Sequence, residues 1–538
     1  MIFMSEFIYR TEEMSSEQIK DLFVTTPVDE EIIRKLKSQT PILLVGSRGV
    51  GKSFLFRVAE AQLNDNFESD KILPVFITFR KASLLQSGNA NQFQAWMLSK
   101  ICSELQRALR KRGKLATINY SMGVLLGSAV KPEKSELEEV TELFESSWKK
   151  PGTIIDDSNV PTLDSFIDVV QDLCEELDIK RIVLFIDEAA HVFYPQQQRE
   201  FFTLFRDLRS PYIKCNAAVY PGVTVYGDTF EPLHDAVRIT LNRSVTDSSY
   251  IETMKGMVLR QAKDSALSTT LSRRGENFSI LAYASGGNPR HLLKTVEMAG
   301  NLDSSAINKV IREYYRESLW AEHSNLSEKY PGYAKLIDWG RDFIETEVIP
   351  EIKSKNDKAT IGKGESGATS SFFWVHRNAP QEVKEALRLL EYTGIISEHS
   401  SGIRATRSEL GSRYEVNEGC LFAQEATPAT TAFSIAKRLS LKKMTEYGSN
   451  YPSFESIKGT VIDSTGNATI VKQFKKSIDT LDLTAWQKEK LHELDIKTIG
   501  ELIDVEESKL KEARYVADVR ARLMKNAAVA AVCEYLLG

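Results

Sequence analysis

Gly46-Ser47-Arg48-Gly49-Val50-Gly51-Lys52-Ser53 decides how the rest of this chain is read. It fits the pattern G-x-x-x-x-G-K-[ST] and lies between the two stretches that the pattern requires. Upstream, Thr40-Pro41-Ile42-Leu43-Leu44-Val45 is a short apolar run with the character of a buried parallel strand. Downstream, Phe54-Leu55-Phe56-Arg57-Val58-Ala59-Glu60 opens an amphipathic helix. Glycines in such a loop let backbone N–H groups close around phosphates at the positive end of the helix dipole. Lys52 would reach the β- and γ-phosphates, and the Ser53 hydroxyl would bind Mg²⁺.

Arg181-Ile182-Val183-Leu184-Phe185-Ile186-Asp187-Glu188 supplies the partner motif, an apolar strand ending in two carboxylates. A strand of this kind delivers Asp187 to the Mg²⁺ shell and sets Glu188 beside the γ-phosphate, where it would orient and deprotonate an attacking water. The two motifs in this order predict an ATPase or GTPase site. Lys52 and Glu188 are its catalytic candidates, and Glu188 favours hydrolysis over binding alone.

At 538 residues the chain is long enough for about three domains. It is 42% apolar and 27% charged, as ordinary globular proteins are. No apolar run approaches the ~20 residues of a membrane span, and the N-terminus lacks a signal-peptide core. The five cysteines, Cys102, Cys174, Cys215, Cys420 and Cys533, have no metal-type spacing. These features predict a cytoplasmic, reducing setting. A net charge of −5 argues against a broadly basic nucleic-acid coat but leaves room for a local basic face.

Strand patterns alternate with helical ones through the first 245 residues. Further strands are predicted at Ile72 to Phe79, Ile182 to Ile186, Cys215 to Tyr220 and Ala236 to Leu241, with helices at Gln92 to Lys111, Leu163 to Leu177 and Gln196 to Leu208. Alternation of this kind predicts an α/β, doubly wound parallel sheet. Thr26-Pro27-Val28-Asp29 reads as a helix start. Residues 113–161 read as an insertion. The basic run Arg107 to Lys114 is either a solvated helix end or a contact for nucleic acid or an acidic partner.

Residues 246–325 are helical, a lid interrupted at Gly286-Gly287-Asn288-Pro289-Arg290, where Arg290 would point back at the phosphates. In 326–425, Tyr333 to Ile352 reads as a helix, Lys353 to Ser371 as a loop and Gln381 to Thr393 as a helix ending at Gly394. Ile395 to Glu398 and Gly402 to Thr406 read as a small hairpin followed by a strand from Arg413 to Phe422, a winged-helix-like succession. Residues 426–475 carry no assignment, and 476–538 are helical.

On these motifs the segment from about Glu13 to Arg316 resembles AAA+ ATPases of the origin-recognition, initiator-type and STAND-like branch. The resemblance implies ATP with Mg²⁺, and Gly286 to Arg290 as a sensor-2 or Gly-x-Pro element. It also implies self-association or a hetero-complex, and a bacterial mobile-element or antiphage-defence setting. It further calls for a γ-phosphate sensor, for which Asn216 and Thr224 are both candidates, and for an arginine finger, with Arg206, Arg209, Arg238 and Arg243 as candidates. The tail, through Leu481-Asp482-Leu483-Thr484 and Ile496-Lys497-Thr498-Ile499-Gly500-Glu501-Leu502, resembles the helix–hairpin–helix domain that ends the α chain of RNA polymerase. Its hairpin, Arg514 to Arg520, lacks the phosphate-facing glycine and carries Asp518. Two functions follow. One is an ATPase coupling nucleotide state to double-stranded DNA or to assembly; the other is a nucleotide-gated switch or scaffold recruiting an effector protein, with slow hydrolysis and no direct DNA role.

Overall fold

The structure, a computed structural model, describes residues 7–81, 92–114, 135–149, 154–189, 195–227, 229–262, 265–363, 367–406, 408–459 and 473–536. Five short apolar strands, β1 (Ile42–Val45), β2 (Ile72–Thr78), β3 (Arg181–Asp187), β4 (Ile213–Val219) and β5 (Val237–Thr240), form one parallel sheet in the order β2-β3-β4-β1-β5. Because both faces of β1, β3 and β4 are buried, their sequences are apolar runs rather than alternations. Helices Gln92–Lys111, Leu163–Glu176 and Pro195–Asp207 cover one face; Ser16–Leu22, Pro27–Lys37 and Lys52–Asp65 cover the other. The fold is α/β, as the alternation predicts.

Part of the 113–161 insertion lies outside the described residues, and the described part contains a helix, Glu136–Glu145, packed on Gln92–Lys111. That packing decides the basic run. Arg107 and Arg110 both lie against the buried Glu138, and Arg112 covers the Phe67 ring and donates to Asn64. Three of the run's cations are thus engaged within the chain.

The helical lid begins at Tyr250–Gln261 and turns at Gly286 between helices Gly275–Ala284 and Pro289–Ala299. Helix then continues beyond the sequence-based boundary. Ala334–Asp342, a π-helical stretch Phe343–Val348, and Ile349–Lys363 run on from one another, so most of the segment expected as a loop from Lys353 is helical. Gln381–Thr393 stops at Gly394 in the left-handed conformation (φ 78°), as its sequence predicts. The expected small hairpin is instead one long strand, β7 (Ile396–Arg404). It pairs with β8 (Leu410–Val416), and bulges at Glu398 and Ser400 absorb the polar Ser-Gly stretch. With β6 (Phe372–His376) and β9 (Thr445–Tyr447) they make a four-stranded sheet, β7-β8-β6-β9. β9 comes from the unassigned stretch 426–475, which also contributes helix Pro428–Lys437; residues 460–472 of it lie outside the described residues. The tail helix Asp518–Leu536 packs on Gln381–Thr393, and Asn526 hydrogen-bonds the Gln381 N–H and the Ala379 carbonyl.

This second half packs closely on the α/β core at Gly222. Gly222, three residues past β4 with φ 78°, lies so close to the helix Gln381–Thr393 that a Cβ there would fall 1.8 Å from the Arg388 carbonyl oxygen. Gly222→Ala should therefore lower unfolding stability by about 2 kcal/mol or more, from overpacking against backbone plus a left-handed alanine. Gly113→Ala shares the positive φ but meets nothing within 4 Å, so denaturant unfolding should show it costing clearly less. Equal losses would mean that the core–helix junction carries no stability.

Candidate nucleotide site

β1 ends at Val45, and the Gly46 N–H continues its ladder by donating to the Val219 carbonyl of β4. The loop then turns over Gly49 (φ 84°) into helix Lys52–Asp65, capped at Gly51 in the left-handed region. Gly49 is needed for space as well as conformation. A Cβ there would lie 2.8 Å from both the Asn288 Oδ1 and the Arg290 Cβ of the lid.

Lys52 is buried. Its ammonium donates to the Gly46 carbonyl (2.5 Å) and the Ser47 carbonyl (3.1 Å), and sits 3.7 Å from the centroid of the Tyr220 ring. Burial draws its pKa down to about 7, although Asp187 and Glu188 pull the other way. Asp187 closes β3, level with Thr78 of β2, and accepts a hydrogen bond from the Ser53 hydroxyl. Its pKa is raised because it is buried. Next to it, Glu188 takes a left-handed backbone (φ 58°), which a glutamate adopts only when its surroundings impose it. Burial and then the Asp187 charge push the Glu188 carboxyl up to about 7.

The Ser53 hydroxyl with the Asp187 carboxylate is a donor set suited to Mg²⁺, which takes one or two protein oxygens and fills its octahedron with water and phosphate. Among the described residues, no group of three or more His, Cys, Asp and Glu could hold a metal unaided.

A cavity of about 400 Å³ opens over Lys52 and Ser53. The lid enters it through Pro289 and Arg290, the sequence-predicted candidate, whose Nε donates to the Tyr9 carbonyl (3.3 Å). Asn288 joins lid to loop. Its Nδ2 donates to the Arg48 carbonyl (2.8 Å), while its Oδ1 caps its own helix by accepting from the Arg290 and His291 N–H groups. The N-terminal segment roofs the cavity: Ile8 exchanges hydrogen bonds with Gln261, and Glu12 pairs with Arg80. Ile8, Met14, Phe23, Val24, Met257 and Leu293 make its apolar wall.

Two sensor candidates fall away. Asn216 lies level with Ile42 and Phe185, three residues short of the β4 end. With Lys214 and Arg181 it caps the C-terminal carbonyls of helix Pro27–Lys37, at the opposite end of the sheet from the loop. Thr224 donates to the Tyr220 carbonyl and does not line the cavity. Tyr220, the residue that follows β4, lines the cavity, with its ring under Lys52.

Of the four arginine-finger candidates, Arg206 is held by Asp207 and the Thr229 carbonyl, and Arg209 by Asp235. Arg238 lines a separate cavity behind the loop, beside Glu391. Arg243 does reach the nucleotide cavity, but as a strut. Its guanidinium bridges the buried Asp29 (2.9 Å) and the Val50 carbonyl (2.7 Å), so it cannot serve a neighbouring molecule.

Residues 7–232, which include both motifs, match the family model described as ORC-CDC6-like. No curated protein matches the chain. Among solved structures it is similar to the Walker-type ATPase of Pyrococcus abyssi, at 15% identity over 81% of this chain and 100% of that one, with a TM-score of 0.37. It is also similar to the Aeropyrum pernix ORC2 protein in ADPNP–ADP complexes (9% identity, 81% and 94% covered, TM-score 0.33). The Aeropyrum pernix ORC1 protein in complex with DNA aligns at 12% identity over 77% and 94%, with a TM-score of 0.31.

A lysine near pKa 7 is about half neutral at pH 7 and mostly neutral at pH 8. A triphosphate entering beside it favours the ammonium, so binding at pH 8 should take up close to one proton, falling towards zero at pH 6. Calorimetry in buffers of different ionisation enthalpy measures this. Glu188→Gln should retain the uptake, and pH-independent enthalpies with no uptake would show that Lys52 is already charged in the free protein.

Proposed function

We propose that this protein binds and hydrolyses ATP at the Lys52–Asp187–Glu188 site, as an AAA+ ATPase of the origin-recognition type, and couples the nucleotide state to its C-terminal half. The observation that carries this is the convergence on one cavity of loop, acidic strand end and lid arginine, inside a segment that matches an ORC-CDC6-like model. Lys52 and Arg290 would hold the phosphates, and Ser53 and Asp187 the Mg²⁺. The metal, when bound, neutralises charge on the transferring phosphoryl group. Glu188 would take the proton of the attacking water; a base poised near pKa 7 suits that task at neutral pH. The apolar wall accommodates a flat base, and no guanine-reading motif is present in the sequence.

The C-terminal unit has the strand and helix order of a winged helix, yet the helix Gln381–Thr393 that would read a groove has no exposed residue. Double-stranded DNA would therefore meet the protein elsewhere. A groove between helix Ile349–Lys363, the β7–β8 hairpin and the β9 approach is lined by Lys355, Lys358, Arg404, Lys442 and Lys443 against a single acid, Glu446. Such a face holds a polyanion through phosphate contacts without reading sequence. A nucleotide-gated switch recruiting an effector is the second reading. It is favoured by the buried helix itself, whose end lies beside the loop, so that a Cβ added at Gly394 would come within 3.6 Å of the Ser47 hydroxyl.

Steady-state ATP hydrolysis with and without double-stranded DNA, with mass followed by light scattering, separates the two. Stimulation by DNA supports the first reading, and DNA-independent turnover with ATP-dependent assembly the second. Lys52→Ala should abolish nucleotide binding, and Glu188→Gln should bind ATP but not turn it over. Normal turnover by Glu188→Gln would remove Glu188 as the base. Lys442→Ala with Lys443→Ala should weaken DNA binding equally for all sequences and reduce the slope of log affinity against log salt by about 2.

A further inference from the structure

ATP hydrolysis needs positive charge where the γ-phosphoryl group accumulates negative charge, and an arginine placed there is worth ~10³ to 10⁵ in rate. Where that arginine comes from decides whether one molecule can turn over alone. Three of the four arginines expected from sequence to serve a neighbouring site are engaged within their own chain, and the fourth, Arg238, is exposed at a separate cavity. Arg206 and Arg209 are tied to acids and carbonyls of their own chain, Arg238 lies beside Glu391, and Arg243 is locked to Asp29.

Around the catalytic acid the situation is the reverse. Glu188 feels two arginines of its own chain, Arg80 from the end of β2 and Arg48 from the phosphate loop itself, and both line the cavity. They differ in what they hold. Arg80 is paired with Glu12 of the N-terminal roof. Among the described residues Arg48 has one loose ionic partner, Glu322 at 3.8 Å, and its side chain is about half exposed at the cavity, in the field of Tyr220, Tyr330 and Tyr392. Arg48 lines the same cavity as Lys52 and Glu188, and its charge acts on both. Its carbonyl accepts from Asn288 of the lid, and its neighbour Gly49 is packed so closely on the lid that no side chain would fit there, which anchors the backbone from which the side chain springs.

We infer that Arg48 is a catalytic arginine acting in cis: from within the phosphate loop it supplies the γ-phosphoryl charge that such sites otherwise draw from a neighbouring protomer. Hydrolysis is then a property of the single chain. No new bond is implied. Water attacks the γ-phosphorus, the bond to the β–γ bridging oxygen breaks, Glu188 takes the proton, and Arg48 stabilises charge on the equatorial oxygens. Assembly, where it occurs, is a consequence of nucleotide state and not a condition for turnover. This rests on the ATPase reading above.

The test is complementation. Arg48→Ala and Arg48→Lys are compared with wild type for turnover and for binding of a fluorescent ATP analogue, and Arg48→Ala is mixed with Glu188→Gln. Wild-type turnover per molecule should not change with protein concentration. Arg48→Ala should lose turnover by about 10²-fold or more, the scale of a preorganised charge at a transition state, while still binding nucleotide. Arg48→Lys, which keeps the charge without the fork, should fall between the two. The mixture should show no more than the sum of its parts, because the intact Arg48 of one chain cannot serve the Glu188 of another. Arg206→Ala and Arg209→Ala should remain at the wild-type level. Recovery of activity in the mixture, specific activity that rises with concentration, or an undiminished Arg48→Ala would each overturn the inference. Failure of the wild type to bind the analogue would instead overturn the ATPase reading beneath it.

Discussion

The parallel register of β1, β3 and β4 is the constraint on which the site depends. Pairing Val45 with Val219, and Ile186 with Ala217, sets three strand ends close together at one rim of the sheet. Gly46, Asp187 and Tyr220 leave the sheet there, and every other feature of the cavity is built on that rim. A one-residue slip in any pair would turn an apolar side chain where a carboxylate or ring now sits. The strands tolerate no such slip because both of their faces are buried, and the helices on each side lock the pleat.

Within that frame, the electrostatics of the free site are unbalanced in a useful direction. Lys52 and Asp187 are buried and Glu188 is partly buried, and each is pushed by desolvation towards its neutral form. Lys52 meanwhile satisfies its donors on the Gly46 and Ser47 carbonyls and rests on the Tyr220 ring. These are weak substitutes for a phosphate. The geometry is held by backbone, by Asn288 and by Arg243, so little reorganisation remains to be done when an anion arrives, and preorganisation of this kind lowers a barrier more than additional contacts do.

The core is legible in the sequence because its signals are local. Strand, glycine loop and helix, or apolar strand and Asp-Glu, each lie within a dozen residues, and the structure brings Lys52, Ser53, Asp187, Glu188 and Arg290 together as the motifs imply. Residues supplied by tertiary placement are not legible. Ile8 and Tyr9 roof the cavity from a segment with no periodicity. Arg80 and Tyr220 matter because of where β2 and β4 end, and strand ends are the least certain feature of a pattern. Asn216 shows the converse error: a polar residue in a core strand suggests a sensor, but register places it at the opposite end, capping a helix. Helix Ile349–Lys363 is hidden because its polar, charged sequence has almost no amphipathic stripe to reveal it.

The C-terminal half raises a physical question of its own, because it touches the phosphate loop and not just the lid. Gly394 approaches Ser47, Tyr392 meets Tyr220 edge to face with ring centroids 6.0 Å apart, and Gly222 presses on the Arg388 carbonyl. Tyr220 is thus shared. One face of its environment is the loop lysine, Lys52, the other the last turn of a buried helix. If a γ-phosphate draws the Lys52 ammonium away, the ring loses a cation–π partner worth about 2 kcal/mol or more when desolvated. The tight packing around Gly222 leaves little space in which that change could dissipate locally. The helix that a winged helix would use to read DNA is here a packed core element, in contact through Tyr392 with Tyr220 beneath Lys52 and along its length with β7 and the tail helix.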